Sequence, residues 1–375
     1  GGRIVLDAEC LPQTIEVVAA QAEAIGLLDK IVAPQNLREE AVAFAREVAG
    51  RSEHPVSSKR TDRIDAHDPG VFKAFREKNA RRLKGLDAPA RCIESVELAT
   101  QLPYDEGIAK EREFFMELVM GDQSKALRHV FFAERQAGKI DGLPKDAVPL
   151  PIRKVGIIGA GTMGGGIAMN FLSAGYDVTI VEREQEALDR GVGIIRKNYD
   201  ATARKGRMTA EQVEKAMGHL STSLDFQDLA DCDLVIEAVF ELMAIKKDVF
   251  GKLDAICKPD AIMASNTSYL DVNEIATCTS RPEQVVGLHF FSPANIMRLL
   301  EVVRGDKTSP QVMATAMDLA KKIGKVAVVS GVCHGFIGNR MLAKRQEQAS
   351  ELLMEGARPA LVDKVLTDFG FPMGP

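Results

Sequence analysis

The sequence predicts an α/β fold, a doubly wound parallel sheet in the middle of the chain, with helical segments before it and the start of an all-α unit after it. Three observations carry this. Short apolar, β-branched runs recur between Val155 and Val329, and amphipathic stretches at helical spacing alternate with them. A glycine-rich turn joins the first run to the first of those stretches. Strands that alternate with helices return to the same end of a sheet and so pair in parallel, with helices on both faces.

In chain order, residues 11–50 place apolar and charged side chains at helical spacing, interrupted by Gly26 and the Ala33-Pro34 turn. Residues 51–91 are polar and rich in Lys and Arg, which fits a solvated helix face and connector, with a patch for an anionic ligand as the alternative. Helical patterns resume over 92–140, as in Glu111 to Met120 and Ser124 to Glu134. The stretch GKIDGLPKDAVPLP, Gly138 to Pro151, is dense in Pro and Gly and predicts a domain boundary. Strands are then expected at Val155 to Ile158, Val178 to Val181, Leu234 to Val239, Ala261 to Ala264, Val285 to Phe290, Leu299 to Val303 and Val326 to Val329. The expected helices are Thr162 to Ser173, Gln185 to Lys205, Thr209 to Met217, Met243 to Ile256 and Val312 to Ile323. Two more, Phe336 to Met354 and Pro359 to Phe369, open the all-α unit.

The turn after the first strand, Gly159-Ala160-Gly161-Thr162-Met163-Gly164, spells GxGxxG in a strand-turn-helix context, and an acid, Glu182, ends the second strand. Gly159 permits the tight turn, Gly161 lets backbone approach a pyrophosphate, and Gly164 allows close helix packing. The amide groups and positive end of the following helix then face the phosphates. This is the pattern of a Rossmann-type sheet that binds a dinucleotide. Glu182 is placed to accept hydrogen bonds from the adenosine ribose and to repel a 2′-phosphate, which favours NAD over NADP despite Arg183 next to it.

Bulk properties exclude other classes. The 375 residues suffice for two or three domains, and a 46% hydrophobic content supplies a core. The net charge of −5, no Trp and four Tyr argue against nucleic-acid binding. No run reaches the length of a membrane span, and no signal peptide is recognisable. Six cysteines lie scattered without a CxxC pair, so neither a disulfide framework nor a metal site is expected.

Ligands of such sheets bind at the carboxyl ends of the strands, where three clusters carry chemistry. Ser265-Asn266-Thr267-Ser268 follows one strand; its side chains suit a substrate hydroxyl or carboxamide, and equally a turn or helix cap. His289-Phe290-Phe291-Ser292-Pro293 ends another, and Glu301 lies twelve residues on in the next. Imidazole titrates in the range needed to take a hydroxyl proton, and a carboxylate on its other nitrogen fixes the tautomer. A hydrogen-bonded structural role for His289 stands as the alternative. Gly335 to Arg340, GFIGNR, enters the helical unit with Asn339, a group that caps a helix or donates across a cleft. Of the other histidines, His219 precedes a β-run with no acid in view.

Taken together, GAGTMG, VFE at 239–241, SNTS, HFFSPA, LLEVVRG, GFIGNR and FGFPMGP resemble the L-3-hydroxyacyl-CoA dehydrogenase family across 153–375. The resemblance implies NAD-dependent oxidation of a 3-hydroxyacyl-CoA in fatty acid β-oxidation, with His289 as base, Glu301 as its partner, and Ser268 and Asn339 positioning substrate. It places Met163, Glu182, Val239, Phe240, Glu241, Lys246, Ser268 and Ser292 around the cofactor, with the glycine turn from Gly159 to Gly164 on the pyrophosphate. At position 292 single-function members usually carry Asn, which departs from Ser292 here.

Residues 21–49 resemble the tail of an enoyl-CoA hydratase (crotonase) domain. The implied organisation is a hydratase tail over 1–55, a helical linker over 56–150, the NAD-binding domain over 151–331 and the truncated start of the helical domain over 332–375. The chain is thus read as a fragment of a multifunctional enzyme, without the glutamates that hydratase chemistry needs. A dehydrogenase acting on free hydroxy acids and a catalytically incomplete NAD-binding fragment are the alternatives. The expected partner is the acyl-CoA substrate, with no nucleic acid and no membrane span, and a homo-oligomer left open. A cytoplasmic location is expected, with the peroxisome as the alternative.

Overall fold

The computed structural model describes residues 19–24, 26–52, 56–59, 64, 68, 70–144 and 146–375. Part of the hydratase-like tail and of the linker, with Cys10, His54 and His67, lies outside the described residues. Contacts divide the chain into two units, one up to Gly121 and one from Asp122.

The first unit is helical: α1 (Leu37–Ala49), α2 (Val71–Leu83), α3 (Asp87–Leu98) and α4 (Tyr104–Met120). α3 packs on α4, where Arg91 bridges Glu94 and Glu117 and lays its guanidinium 4.7 Å from the Phe114 ring centroid.

The second unit opens with α5 (Asp122–Ala137) and continues as β1 (Lys154–Ile158), α6 (Thr162–Ser173), β2 (Asp177–Val181), α7 (Gln185–Arg204), α8 (Ala210–Gly218), β3 (Leu220–Ser223), β4 (Leu234–Glu237), α9 (Met243–Ile256), β5 (Ile262–Ser265), α10 (Val272–Ala276), β6 (Val285–Phe290), β7 (Leu299–Arg304), α11 (Pro310–Lys322), β8 (Val326–Gly331), α12 (Gly338–Met354) and α13 (Pro359–Phe369). The strands form one eight-stranded sheet in the order β3-β2-β1-β4-β5-β6-β7-β8. Its central strands are buried on both faces, because helices cover each side. One face holds a core around Ile157, Phe171, Ile195, Leu300 and Val302; the other holds one around Val235, Phe250, Met263 and Val303.

Four differences from the sequence expectations have physical causes. β7 runs antiparallel to β6 and parallel to β8, so the sheet is not wholly parallel. Eight residues, 291–298, join β6 to β7, fewer than the dozen or so that a parallel crossover requires. The expected boundary at 138–151 belongs with the sheet: Ile140, Leu143, Leu150 and Ile152 pack against its core, Leu150 N–H donates to Thr315 Oγ1 at 2.8 Å, and α5 packs on β8. Finally, α12 starts at Gly338 rather than Phe336, because Phe336 has φ 47° and that left-handed conformation cannot continue a helix. His219 also has an acid partner, with its Nδ1 2.7 Å from Asp177 Oδ1 across the β2–β3 edge.

Candidate active site

The strand order reverses between β1 and β4, and the loops leaving these two strands touch. Gly159 has φ 103°, and a Cβ there would lie 2.9 Å from Ala238 O, so this turn requires glycine twice over. A Cβ on Gly164 would overlap the carbonyl oxygen of Gly159, which is how closely α6 sits on the turn. Gly161 differs: its φ is −70° and its ψ −170°, and nothing lies within 4 Å of a Cβ built on it. It also occupies the N-cap of α6 with no side-chain cap, so the first amides of the helix are left to an external acceptor. An uncapped helix start beside an open backbone face fits a pyrophosphate.

Thr162 is exposed on this helix, Met163 packs partly into the core, and Ala160 is buried. Glu182 follows β2 and accepts from Ala160 N–H at 2.9 Å and from Arg183 N–H at 2.7 Å, which brings its carboxylate against the glycine turn. Gly191 on α7 is a further close contact that the spacing of the motif did not reveal. A Cβ there would stand 2.7 Å from that of Ala160.

His289 and Glu301 are direct cross-strand partners of the antiparallel β6–β7 pair, so their side chains share one face. His289 Nδ1 lies 2.6 Å from Glu301 Oε2, and both side chains are almost wholly buried. The other carboxylate oxygen, Oε1, accepts from Ile337 N–H at 3.0 Å and Gly338 N–H at 2.7 Å, at the start of α12. Burial pushes the Glu301 carboxyl up, but the hydrogen bonds from His289 and those two amides, with the His289 charge, outweigh it and hold the group below its usual range. The Phe291 and Phe336 rings flank the imidazole at 4.5 and 5.7 Å between centroids. Asn339 follows Gly338 in the first turn of α12, which ties its position to Glu301.

A carboxylate lowered in the folded protein stabilises in full above the ordinary carboxylate value, and that contribution is lost as pH falls from there through the lowered value. Urea midpoints of the wild type and Glu301→Gln should therefore differ most near neutral pH and converge on acidification. A gap that stays constant down the acid limb would show that Glu301 ionisation does not contribute.

Ser268 sits in the loop after β5, where its N–H and that of Tyr269 donate to Glu241 Oε1 at 2.8 and 3.0 Å, with Thr267 Oγ1 on the same oxygen at 2.6 Å. At the other end of the loop Asn266 Oδ1 accepts Phe290 N–H at 2.9 Å, one residue past His289. Burial raises the Glu241 carboxyl, and the Thr267 hydroxyl, the Lys246 charge and the two amides more than offset it. Lys246 is buried and paired with Glu237 Oε1 at 2.7 Å and Glu241 Oε2 at 3.3 Å. Val239 N–H also donates to Glu237, whereas Phe240 next to it is 79% exposed. Ser292 is exposed and opens a cis bond to Pro293; the turn it begins packs Ala294 against Gly166 of α6.

The sequence expectations leave out Glu237 and the ring pair Phe291 and Phe336. A charged residue ending an otherwise apolar buried strand, with a Lys nine residues later, was the available signal for the first. For the rings no local signal exists, since their contact with His289 depends on two chain segments meeting.

A doubly wound sheet with an open glycine turn at its switch point and a buried His–Glu pair at strand ends nearby defines an NAD-binding dehydrogenase domain. Residues 154–333 match the NAD-binding domain of 3-hydroxyacyl-CoA dehydrogenase, and residues 335–375 match its C-terminal domain. A solved structure of (S)-3-hydroxybutyryl-CoA dehydrogenase from Ralstonia eutropha superposes with a TM-score of 0.59 at 34% identity, over 60% of this chain and 80% of that one. The chain belongs to the 3-hydroxyacyl-CoA dehydrogenase family. The peroxisomal bifunctional enzyme of Cavia porcellus is 44% identical over 365 residues, 96% of this chain and 50% of that one. A glyoxysomal fatty acid beta-oxidation multifunctional protein of Brassica napus is 38% identical over 365 residues, again 96% and 50%. The chain spans about half the length of these curated relatives.

Proposed function

We propose that this chain oxidises the 3-hydroxyl of a 3-hydroxyacyl-CoA to the ketone, with NAD as acceptor, within a multifunctional enzyme of fatty acid β-oxidation. The observation that carries the proposal is the buried His289–Glu301 hydrogen bond of 2.6 Å on adjacent strands of the NAD-binding sheet. NAD, when bound, supplies the hydride acceptor. Glu301 accepts from Nδ1 and so leaves Nε2 of His289 as the lone-pair nitrogen, which takes the hydroxyl proton as the carbon is oxidised. The carboxylate then faces the imidazolium, and the α12 amides keep it from turning away. Ser268 and Asn339 hold the substrate oxygen from the loop after β5 and the start of α12. In this reading Glu182 binds the adenosine ribose, and Val239, Phe240, Glu241, Lys246 and Ser292 border the cofactor.

The same reading takes residues up to 55 as a hydratase tail, the following helices as linker, and residues from 332 as the start of the helical domain. The names of the curated relatives place them in peroxisomes and glyoxysomes, which supports the peroxisome over the cytoplasm. Among the described residues no helix is long and apolar enough to cross a membrane.

The test is oxidation of NADH by this chain with acetoacetyl-CoA or free acetoacetate, followed by absorbance. Turnover that needs the CoA thioester supports the proposal. Equal turnover of the free acid would replace it with a hydroxy-acid dehydrogenase, and NADH binding without turnover would reduce the chain to a cofactor-binding piece.

A further inference from the structure

Two exposed rings meet beside the candidate active site. The Tyr269 and His334 ring centroids lie 5.1 Å apart with the planes at 36°, within the range of aromatic pairs that attract. Each ring belongs to a segment that carries one of the two groups assigned to the substrate oxygen. Tyr269 follows Ser268 in the loop after β5, and His334 stands in the connection from β8 to α12, five residues before Asn339. Both segments are fixed at the backbone, but to different carboxylates. The Ser268 and Tyr269 amides donate to Glu241 Oε1. On the other side Phe336 N–H donates to Cys333 O at 3.1 Å, closing a turn around His334, and the Ile337 and Gly338 amides donate to Glu301 Oε1. Leu270 and Val332 rest on the same core as Phe336. Among the described residues, however, no hydrogen bond or ion pair runs from residues 266–271 to residues 332–340, so on the exposed side the ring pair joins them.

We propose that Tyr269 and His334 form an aromatic clasp that sets the spacing between Ser268 and Asn339, so that both groups reach the same substrate oxygen. The two are positioning residues, and the proposal rests on the reading that Ser268 and Asn339 hold substrate. A ring pair suits this place. Tyr269 is 46% exposed, and an ion pair so open to water would be screened and contribute little. Stacked rings attract through their faces instead, and the phenol hydroxyl keeps its contact with water.

The test is a double-mutant cycle of Tyr269→Ala and His334→Ala, with Tyr269→Phe as the conservative variant, all in the 375-residue chain. Thermal melting, NADH affinity by fluorescence, steady-state turnover of acetoacetyl-CoA and amide hydrogen exchange are measured. All variants should melt near the wild type, as substitutions at exposed positions do. Each alanine variant should lower kcat by about three- to tenfold, the scale of one aromatic pair, with NADH affinity held within about twofold. The double variant should be no slower than the slower single one, as two residues acting as one unit are. Tyr269→Phe keeps the ring and should restore kcat. The exchange should report across the cleft: Tyr269→Ala should speed exchange at Ile337 and Gly338, and His334→Ala should speed it at Ser268 and Tyr269.

Losses of kcat that add in the double variant, or exchange that changes only in the substituted segment, would overturn the proposal and leave two independent surface groups. Loss of NADH affinity in proportion to kcat would overturn it in favour of a cofactor contact. If the wild-type chain does not turn over acetoacetyl-CoA, the proposed function fails, whereas the exchange rates still decide whether the rings clasp the two segments.

Discussion

Replacing His289 with alanine is expected to lower turnover by about 10²–10⁴-fold, the usual contribution of a positioned general base, with NADH affinity unchanged. His289 lies on β6, whereas the glycine turn lies between β1 and α6, so the substitution does not reach the pyrophosphate site. Nor does it orphan the Glu301 carboxylate, whose Oε1 keeps the Ile337 and Gly338 amides. The start of α12 should therefore stay in place and the loss should appear in kcat. Steady-state kinetics with acetoacetyl-CoA beside fluorescence titration of NADH separates the two effects. Near wild-type turnover would remove His289 from the chemistry and return it to the structural role that its burial between two phenyl rings also allows.

The second large effect is a contrast between two glycines of one motif. Gly164→Ala should destabilise the protein by about 1–3 kcal/mol or more, as overpacking of a tight interior does. The clash is with the carbonyl oxygen of Gly159, a backbone atom that no rotamer change can move, so α6 must lift from the turn. Gly161→Ala should leave the melting curve nearly in place, since its backbone angles suit any residue and its Cβ meets nothing within 4 Å. It should instead weaken NADH binding, because the methyl group stands where the phosphates are expected to approach. Thermal melts and NADH titrations of both variants give the answer. If Gly161→Ala binds NADH as the wild type does, the phosphates do not lie against this turn.

Much of the site can be read without the fold. The glycine turn, the acid ending the second strand, and the His289 to Glu301 spacing are local patterns, and local chemistry explains them. The direction of β7 departs from the parallel sheet expected, and the eight residues between β6 and β7 are the signal that reading passed over, because a connection that short fits an antiparallel return. By contrast, nothing near Lys246 in the sequence says that it is buried, and the nine-residue spacing to Glu237 suggests a pairing that only the fold makes. The Asp177 partner of His219 lies forty-two residues away, and the pairing exists only because β2 and β3 are neighbours.

The amino-acid sequence by itself determined the alternation of strands and helices and the dinucleotide turn, and it offered His289 and Glu301 as a candidate pair, because backbone preference, glycine freedom and side-chain chemistry act over a few residues. Only the tertiary structure decided which charges share a dry interior, that residues 122–150 pack with the sheet, and that Glu301 holds both the imidazole and the first amides of α12. Those outcomes depend on burial and on partners distant in the chain, and the cost of an unpaired buried charge is set by the surroundings rather than by the residue that carries it.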